Sequence, residues 1–183
     1  LDVNKAKKLL ISLSDLFRKS INNNQDMVDI ATELKHIESY LEIEKARFGD
    51  KLQVKYDLED GITCKLPPLI LQPIVENAVL HGILPKKNGG TVTIRSRRQG
   101  KDLLLEVIDD GVGIKSDKLT RLINMKTNFD SVGLNNVNKR LINLYGDEYR
   151  LQINSTRQKG TSVLIRIPYT LNIDQSKAKG VVA

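Results

Sequence analysis

Two stretches near the N-terminus have the hydrophobic spacing of amphipathic helices. Between Lys7 and Ile21 apolar residues recur every three or four positions, until a polar run at 22–26 interrupts the pattern. A second helix follows, and Gly49 is placed to end it; its apolar face consists of Ile30, Leu34, Ile37 and Leu41. The pair predicts a helical hairpin, which can bury both apolar faces only against further protein.

From residue 52 the hydrophobic period changes from that of a helix to that of a strand. Leu52 to Leu58 alternates apolar and polar residues, as a half-buried strand does. Thr91 to Arg98 and Leu103 to Asp109 predict two strands joined by a glycine turn. Leu151 to Thr156 and Ser162 to Pro168 predict a last pair of strands.

Two more helices are predicted among these strands. The first is expected to open at the proline pair 67–68 and to run to about residue 81, because proline is tolerated in a first helical turn. Pro73 lies deeper in it and is expected to distort it. The second runs from Gly133 to Tyr145. The polar stretch from Lys115 to Ser131 predicts a short helix and a mobile loop that acts as a lid.

Strands and helices are grouped along the chain rather than strictly alternating, and this order predicts an α+β fold. We expect a two-layer α/β sandwich, with a mixed sheet and helices on one face, preceded by the N-terminal helical hairpin. The predicted division is a helical segment at 1–48, a domain at 49–170 and a flexible tail at 171–183.

Composition narrows the class of protein. With 183 residues, 40% of them hydrophobic, the chain can bury one core. The net charge of +7 is spread along a chain without tryptophan, which argues against a nucleic-acid interface. No apolar stretch is long enough to span a membrane, so the chain is expected to be soluble by itself. The single cysteine, Cys64, excludes an intramolecular disulfide.

The strongest chemical motif is at residues 108–114, which read Ile-Asp-Asp-Gly-Val-Gly-Ile. A strand here delivers Asp109 to a glycine-rich turn. A fixed carboxylate accepts a hydrogen bond from the amino group of adenine and repels the carbonyl that guanine presents there. Gly111 and Gly113 are expected to lie flat against the base and to adopt positive φ. An ordinary Asp-Gly turn after a strand gives the same local pattern.

Residues 71–82 read Leu-Gln-Pro-Ile-Val-Glu-Asn-Ala-Val-Leu-His-Gly, an apolar helix interrupted by polar residues. Asn77 and His81 are four apart and share a face. An asparagine oxygen is a hard neutral ligand that magnesium accepts beside phosphate oxygens and water. A satisfied core amide and a capping histidine remain the alternative.

Two further motifs are weaker. Residues 131–137 read Ser-Val-Gly-Leu-Asn-Asn-Val and open a helix, whose free N–H groups suit phosphate. Residues 159–162 read Lys-Gly-Thr-Ser and form a turn before a strand.

Together these motifs resemble a known family. In order, they are similar to the N, G1, G2 and G3 boxes of the ATPase superfamily of Hsp90, gyrase B, MutL and histidine kinases, whose ATP-binding fold is the Bergerat type. The 71–82 segment, with Tyr-Leu-Glu-Ile-Glu at 40–44 and Arg-Phe at 47–48, resembles the LytS/YesM-type sensor histidine kinases.

The resemblance implies a set of roles. Asn77 would hold Mg²⁺, Asp109 would bind the adenine of ATP, and Glu76 would polarise the acceptor or orient a magnesium water. The remaining nucleotide contacts would come from His81, Gly111, Gly113, Ser131, Gly133, Leu134 and Thr161.

The chain departs from the family pattern at three positions. Leu80 stands where a lysine commonly precedes the His-Gly pair, and Ser131 replaces a frequent glycine. Pro73 occupies the position at which hydrolytic relatives carry the glutamate that activates water, which favours transfer over hydrolysis.

The resemblance implies transfer of the γ-phosphate to a histidine upstream, for relay to a response regulator, in a protein that forms a homodimer. The chain would be the cytoplasmic part of a parent that meets the membrane only through segments upstream. The family's acceptor segment, similar to Asn-Pro-His-Phe-Leu-Phe-Asn, does not occur here, so 1–48 would be the remainder of a dimerisation and phosphoacceptor region. His36 lacks that context. The alternatives are a protein-serine kinase or anti-sigma factor of the same superfamily, and a non-catalytic nucleotide-binding dimerisation module.

Overall fold

The computed structural model describes residues 27–116, 119–120 and 132–169. The predicted helix at 7–21, most of the lid loop, Ser131 and the tail at 171–183 lie outside these residues. The lid and the first half of the hairpin therefore stay predictions.

The helix predicted to end at Gly49 is present. Helix α1 spans Ile30–Phe48, and Gly49 ends it with φ 59° and a backbone N–H donated to the carbonyl of Lys45. It is preceded by a two-residue strand, β1 (Val28–Asp29), which pairs antiparallel with β3 (Lys65–Leu66). So short a pairing has no hydrophobic period, and the sequence did not predict it.

The five remaining strands form one mixed sheet, as predicted. They are β2 (Leu52–Leu58), β4 (Gly90–Gln99), β5 (Asp102–Asp109), β6 (Gln152–Thr156) and β7 (Gly160–Pro168). Their spatial order is β2-β4-β5-β7-β6. The pair β2 and β4 is parallel, and the other pairs are antiparallel. This arrangement places the C-terminal end of β5 beside the start of β7.

One face of the sheet is buried and the other is open. On β4 the residues Val92 and Ile94 are 0% and 1% exposed, and alternate residues of β5 and β7 are buried in the same way. The open face carries ion pairs instead, such as Arg95 Nε to Asp57 Oδ2 at 2.8 Å and Arg95 Nη1 to Glu106 Oε2 at 3.1 Å. The helices cover the buried face, which confirms the two-layer α+β sandwich.

The helix expected to open at the proline pair begins later. Helix α2 spans Gln72–Asn77, because Leu69 adopts φ 55°, which a right-handed helix does not accommodate. Pro73 therefore lies in the first turn, where its missing N–H has no helical partner, and it does not distort the helix. The irregularity comes after Asn77, where Ala78–Ile83 forms a π-helical turn.

Helix α3 spans Val132–Tyr145 and ends before Gly146, as predicted. Its buried residues Leu134, Val137 and Leu141 belong to the same core as α1, α2 and the sheet. Within the part of the chain that the structure covers, no helix combines the length and apolar character that a membrane crossing needs.

Candidate nucleotide-binding site

A cavity of about 550 Å³ lies between α2 with its π-helical turn, the buried face of the sheet and the start of α3. Its apolar lining comes from both layers and includes Ile74, Val107, Leu134, Ile153 and Val163. The polar side chains that line it are Asn77, His81, Asp109, Lys115 and Thr161. An apolar cleft with a few convergent polar groups is the usual form of a small-molecule site.

Asp109 is the buried carboxylate of this cavity, since it is only 5% exposed at the end of β5. Its Oδ1 accepts the backbone N–H of Gly111 at 2.9 Å. Burial raises the pKa of Asp109, and the backbone N–H groups of Gly111 and Thr161 act in the opposite direction. These bonds hold the carboxylate in one orientation, so it can present a fixed acceptor to a ligand.

The π-helical turn and the turn after β5 touch each other at Asp109. A Cβ on Gly82 would lie 2.6 Å from Asp109 Oδ1, and the Gly82 carbonyl accepts the backbone N–H of Val112 at 3.0 Å. Gly113 has φ 62°, as expected for this turn. The expectation of positive φ at Gly111 was wrong: there the absent side chain makes room for the Gly82 carbonyl.

Asn77 is the last residue of α2 and lines the same cavity. Its Nδ2 donates to the Pro73 carbonyl at 2.5 Å, which fixes the side-chain amide. Gly133 lies beside it, because a Cβ there would be 3.2 Å from Pro73 Cβ and 3.9 Å from Asn77 Nδ2. The structure therefore brings the start of α3 to the asparagine.

Three of the predicted site residues do not line the cavity: Glu76, Gly111 and Gly133. Glu76 Oε1 accepts the Gln72 Nε2 hydrogen bond at 2.8 Å. The Glu76 carboxylate also helps, after burial and Glu44, to raise the pKa of Tyr40 on α1. Glu76 thus lies on the side of α2 that faces α1. Ser131 lies outside the described residues.

Two residues near the cavity were missed as site residues. Lys115 lines it, although the sequence suggested only that it begins the lid. The Ser155 hydroxyl lies 2.9 Å from Thr161 Oγ1, donates to the Gly160 carbonyl at 2.9 Å and accepts the Ile114 N–H at 2.9 Å. Only the pairing of β6 with β7 places Ser155 opposite Thr161, and no local sequence signal shows it.

The two histidines of the chain have different positions. His81 lies in the π-helical turn, is exposed, and lines the cavity. His36 is half-buried on α1 and is not among the residues that line the cavity. Within the described residues no group of three His, Cys, Asp or Glu side chains could hold a metal ion. Magnesium bound mainly by phosphate and water needs only one or two protein ligands, and the Asn77 oxygen fits that role.

Two family models match the chain. Residues 1–52 match the model described as histidine kinase. Residues 67–171 match the model described as histidine kinase-, DNA gyrase B-, and HSP90-like ATPase, and this match covers the cavity.

Similar proteins include the uncharacterized protein YwpD and two sensor proteins, YpdA and LytS. YwpD of Bacillus subtilis is 41% identical, over 91% of this chain and 60% of that protein. Sensor histidine kinase YpdA of Escherichia coli is 38% identical, over 89% of this chain and 28% of that protein. Sensor protein LytS of Staphylococcus haemolyticus is 34% identical, over 92% of this chain and 30% of that protein. The chain thus spans less than two thirds of each.

Solved structures share the fold. Acinetobacter baumannii histidine kinase AdeS matches with a TM-score of 0.60 at 17% identity, covering 90% of this chain and 77% of that one. Histidine kinase ThkA, solved in complex with response regulator protein TrrA, matches with a TM-score of 0.56 at 15% identity. The match covers 92% of this chain and 49% of that one.

The chain belongs to the family of histidine kinase-, DNA gyrase B-, and HSP90-like ATPases, and it carries the nucleotide-binding domain of that family. Over most of its length the chain is similar to sensor histidine kinases and LytS-type sensor proteins, and residues 1–52 match the histidine kinase model. The serine-kinase and non-catalytic alternatives are not favoured by these matches.

Proposed function

We propose that the cavity binds ATP with magnesium and that the chain is the catalytic region of a sensor histidine kinase, which transfers the γ-phosphate to a histidine outside these 183 residues. One observation carries the proposal: Asp109 and Asn77 line the same cavity from different elements. Gly82, which touches Asp109, is five positions after Asn77 along the helical segment, a distance of about 7 Å along its axis. The two side chains therefore define a base end and a phosphate end.

At the base end, Asp109 selects adenine. Its carboxylate offers only acceptors, so it pairs with the exocyclic amino group and disfavours a guanine carbonyl at the same place. The apolar lining from Ile153 and Val163 contacts the faces of the base. Thr161, whose hydroxyl is held by Ser155, adds a polar contact beside the base.

At the phosphate end, Asn77 would hold the magnesium ion through Oδ1, because its nitrogen donates to the Pro73 carbonyl. Bound there, the ion would neutralise charge on the phosphate oxygens and orient them. The start of α3 at Gly133 supplies backbone N–H groups to the phosphates, helped by the helix dipole.

The acceptor is proposed to be a histidine brought to the γ-phosphate from outside the chain. Pro73 cannot activate water, which disfavours hydrolysis. Glu76 follows from the resemblance alone as the group that would polarise the acceptor, since its carboxylate accepts the Gln72 Nε2 hydrogen bond and does not line the cavity. The partners proposed for the whole protein are a second copy and a response regulator; the ThkA complex with TrrA supports the latter.

Calorimetry with ATP and GTP in the presence of magnesium tests this function. We expect ATP to bind more tightly than GTP, and Asp109→Asn to weaken ATP binding by roughly 1.5–3 kcal/mol, the value of a hydrogen bond to a charged group. Asp110→Asn is the matched control, because Asp110 is exposed and does not line the cavity. It should leave ATP affinity within about twofold. Equal affinities for ATP and GTP would contradict the assignment.

A further inference from the structure

Glu33 is a fully buried carboxylate on α1 that reaches the segment just before α2. It is 0% exposed. Its Oε2 accepts the backbone N–H of Leu69 at 2.9 Å, and its Oε1 accepts the backbone N–H of Leu71 at 3.0 Å. Burial raises the pKa of Glu33, while its bonds to backbone N–H groups oppose the rise. A buried carboxylate is costly unless it is bonded in this way, so its position is closely defined.

These two bonds determine where α2 begins. The first N–H groups of a helix have no partner within the helix, and here a side chain from another helix satisfies N–H groups at its entry. Leu69 is held at φ 55°, a left-handed conformation that is unfavourable for a residue with a Cβ. Glu33 stabilises that turn, and α2 starts directly after it at Gln72.

Helix α2 is only six residues long, and its last residue is Asn77. Isolated helices of this length are not stable in water, so their direction depends on what holds their ends. The far end of α2 continues into the π-helical turn that contacts Asp109. The near end is held by Glu33.

Other contacts keep α1 in place against the same segment. The backbone N–H of Ile30 donates to the Cys64 carbonyl at 3.0 Å, and β1 pairs with β3 immediately before the turn. Ile37 of α1 is 0% exposed in the core that also contains Val75 of α2. Helix α1 therefore forms a rigid support for α2, although it lies within the region matched by the histidine kinase model rather than the ATPase model.

We propose that Glu33 is a positioning residue for Asn77: by holding the entry to α2 it sets the place of the proposed magnesium ligand at the other end of the helix. This rests on the proposed function, because it assumes that Asn77 meets magnesium and phosphate. Helix α1 would thus act on the phosphate end of the site, although none of its residues lines the cavity.

The test measures the dissociation constant of ATP from the full chain, once with magnesium and once with EDTA. The constant in EDTA divided by the constant with magnesium is the magnesium gain. Glu33→Gln replaces one acceptor by a donor that faces a backbone N–H. We expect it to reduce the magnesium gain about three- to tenfold, while ATP affinity in EDTA changes by less than about twofold. Glu38→Gln, an exposed glutamate of the same helix, is the matched control and should change neither.

A double-mutant cycle separates positioning from a general loss of structure. Asn77→Ala should abolish the magnesium gain, and adding Glu33→Gln to it should have no further effect on that gain. Glu33→Asp keeps the charge but shortens the side chain, so it should show a smaller loss of the gain. It replaces Glu33→Gln in the cycle if that variant does not fold.

Two results would overturn the positioning role while ATP binding persists. One is an unchanged magnesium gain in Glu33→Gln and Glu33→Asp; the other is an equal loss of affinity with magnesium and with EDTA. If the wild-type chain binds no ATP at all, the proposed function fails, and this inference fails with it.

Discussion

At the scale of single residues, the burial of Asp109 affects folding stability as well as its proposed role in binding. Because burial raises its pKa, the folded chain takes up a proton more readily than the unfolded chain does. The ionised carboxylate therefore lowers folding stability at neutral pH, and this loss disappears as the pH falls through the raised pKa. A buried, charged side chain retained at such a cost is typical of a functional site.

We expect Asp109→Asn to separate the effect of Asp109 on folding stability from its effect on ATP binding. Without nucleotide, its melting temperature at pH 7 should be no lower than that of the wild type, because the variant removes a buried charge whose desolvation outweighs its bonds to backbone N–H groups. The stabilisation that ATP gives the wild type should largely disappear in the variant. Differential scanning fluorimetry with and without ATP measures both.

A pH series provides the control for this prediction. The advantage of Asp109→Asn in the nucleotide-free chain should shrink as the pH is lowered through the raised pKa of Asp109, since the wild-type carboxyl is then neutral as well. A variant that melts well below the wild type at neutral pH would show that the carboxylate stabilises the fold after all.

At the scale of elements, the π-helical turn at Ala78–Ile83 joins the two ends of the site. The backbone N–H of Leu84 donates to the Val79 carbonyl at 3.0 Å, the five-residue spacing of a π-helix. The turn carries the chain from Asn77 at the proposed phosphate end to Gly82 at the proposed base end. π-helical turns occur mostly as single insertions and are frequent at functional sites.

Gly82→Ala is predicted to weaken ATP binding roughly fivefold or more, because an overpacked contact costs about 1–3 kcal/mol and here displaces the Asp109 carboxylate. The new Cβ would lie 2.6 Å from Asp109 Oδ1 and 2.7 Å from its Cγ, so the carboxylate must move. Titration with ATP gives the affinity, and the melting temperature shows whether the fold is kept.

Leu80→Ala serves as the control within the same π-helical turn, because Leu80 is 43% exposed and does not line the cavity. It should bind ATP like the wild type. If both variants lose affinity equally, the effect comes from the turn as a whole and not from contact with Asp109.

At the scale of the whole molecule, the site has a nucleotide pocket but no suitable phosphate acceptor among the described residues. His81 lies in the cavity wall beside α2, and His36 is on α1, outside the residues that line the cavity. Phosphoryl transfer depends on an in-line nucleophile held against the γ-phosphate, so binding without an acceptor yields little turnover.

Incubation of this chain with γ-labelled ATP and magnesium should therefore leave it essentially unlabelled. A version extended upstream to include the family's acceptor segment should become labelled at a histidine. Acid-labile incorporation after electrophoresis measures the difference. Acid-labile label on the present chain that His36→Gln abolishes would contradict both this prediction and the placement of the acceptor outside the chain.

Some features of the fold and site could be predicted from the sequence because they depend on local order along the chain. Alternation of apolar residues at 91–98 and 103–109 predicts strands, since only a period of two buries one face of a sheet. Gly49 ends α1 because its φ of 59° suits glycine. Asp109 and Asn77 were identifiable because each stands in a recognisable local motif.

Only the tertiary structure decided the contacts between groups that are distant in sequence. The Glu33 carboxylate binds backbone 36 and 38 residues further along, and this contact, with the backbone of Leu69, moves the start of α2 to Gln72. Ser155 reaches Thr161 only through the register of β6 with β7. Hydrophobic periodicity specifies which residues are buried, but a buried polar group needs a particular partner. That partner is determined only when the packed elements bring the two groups within hydrogen-bonding distance.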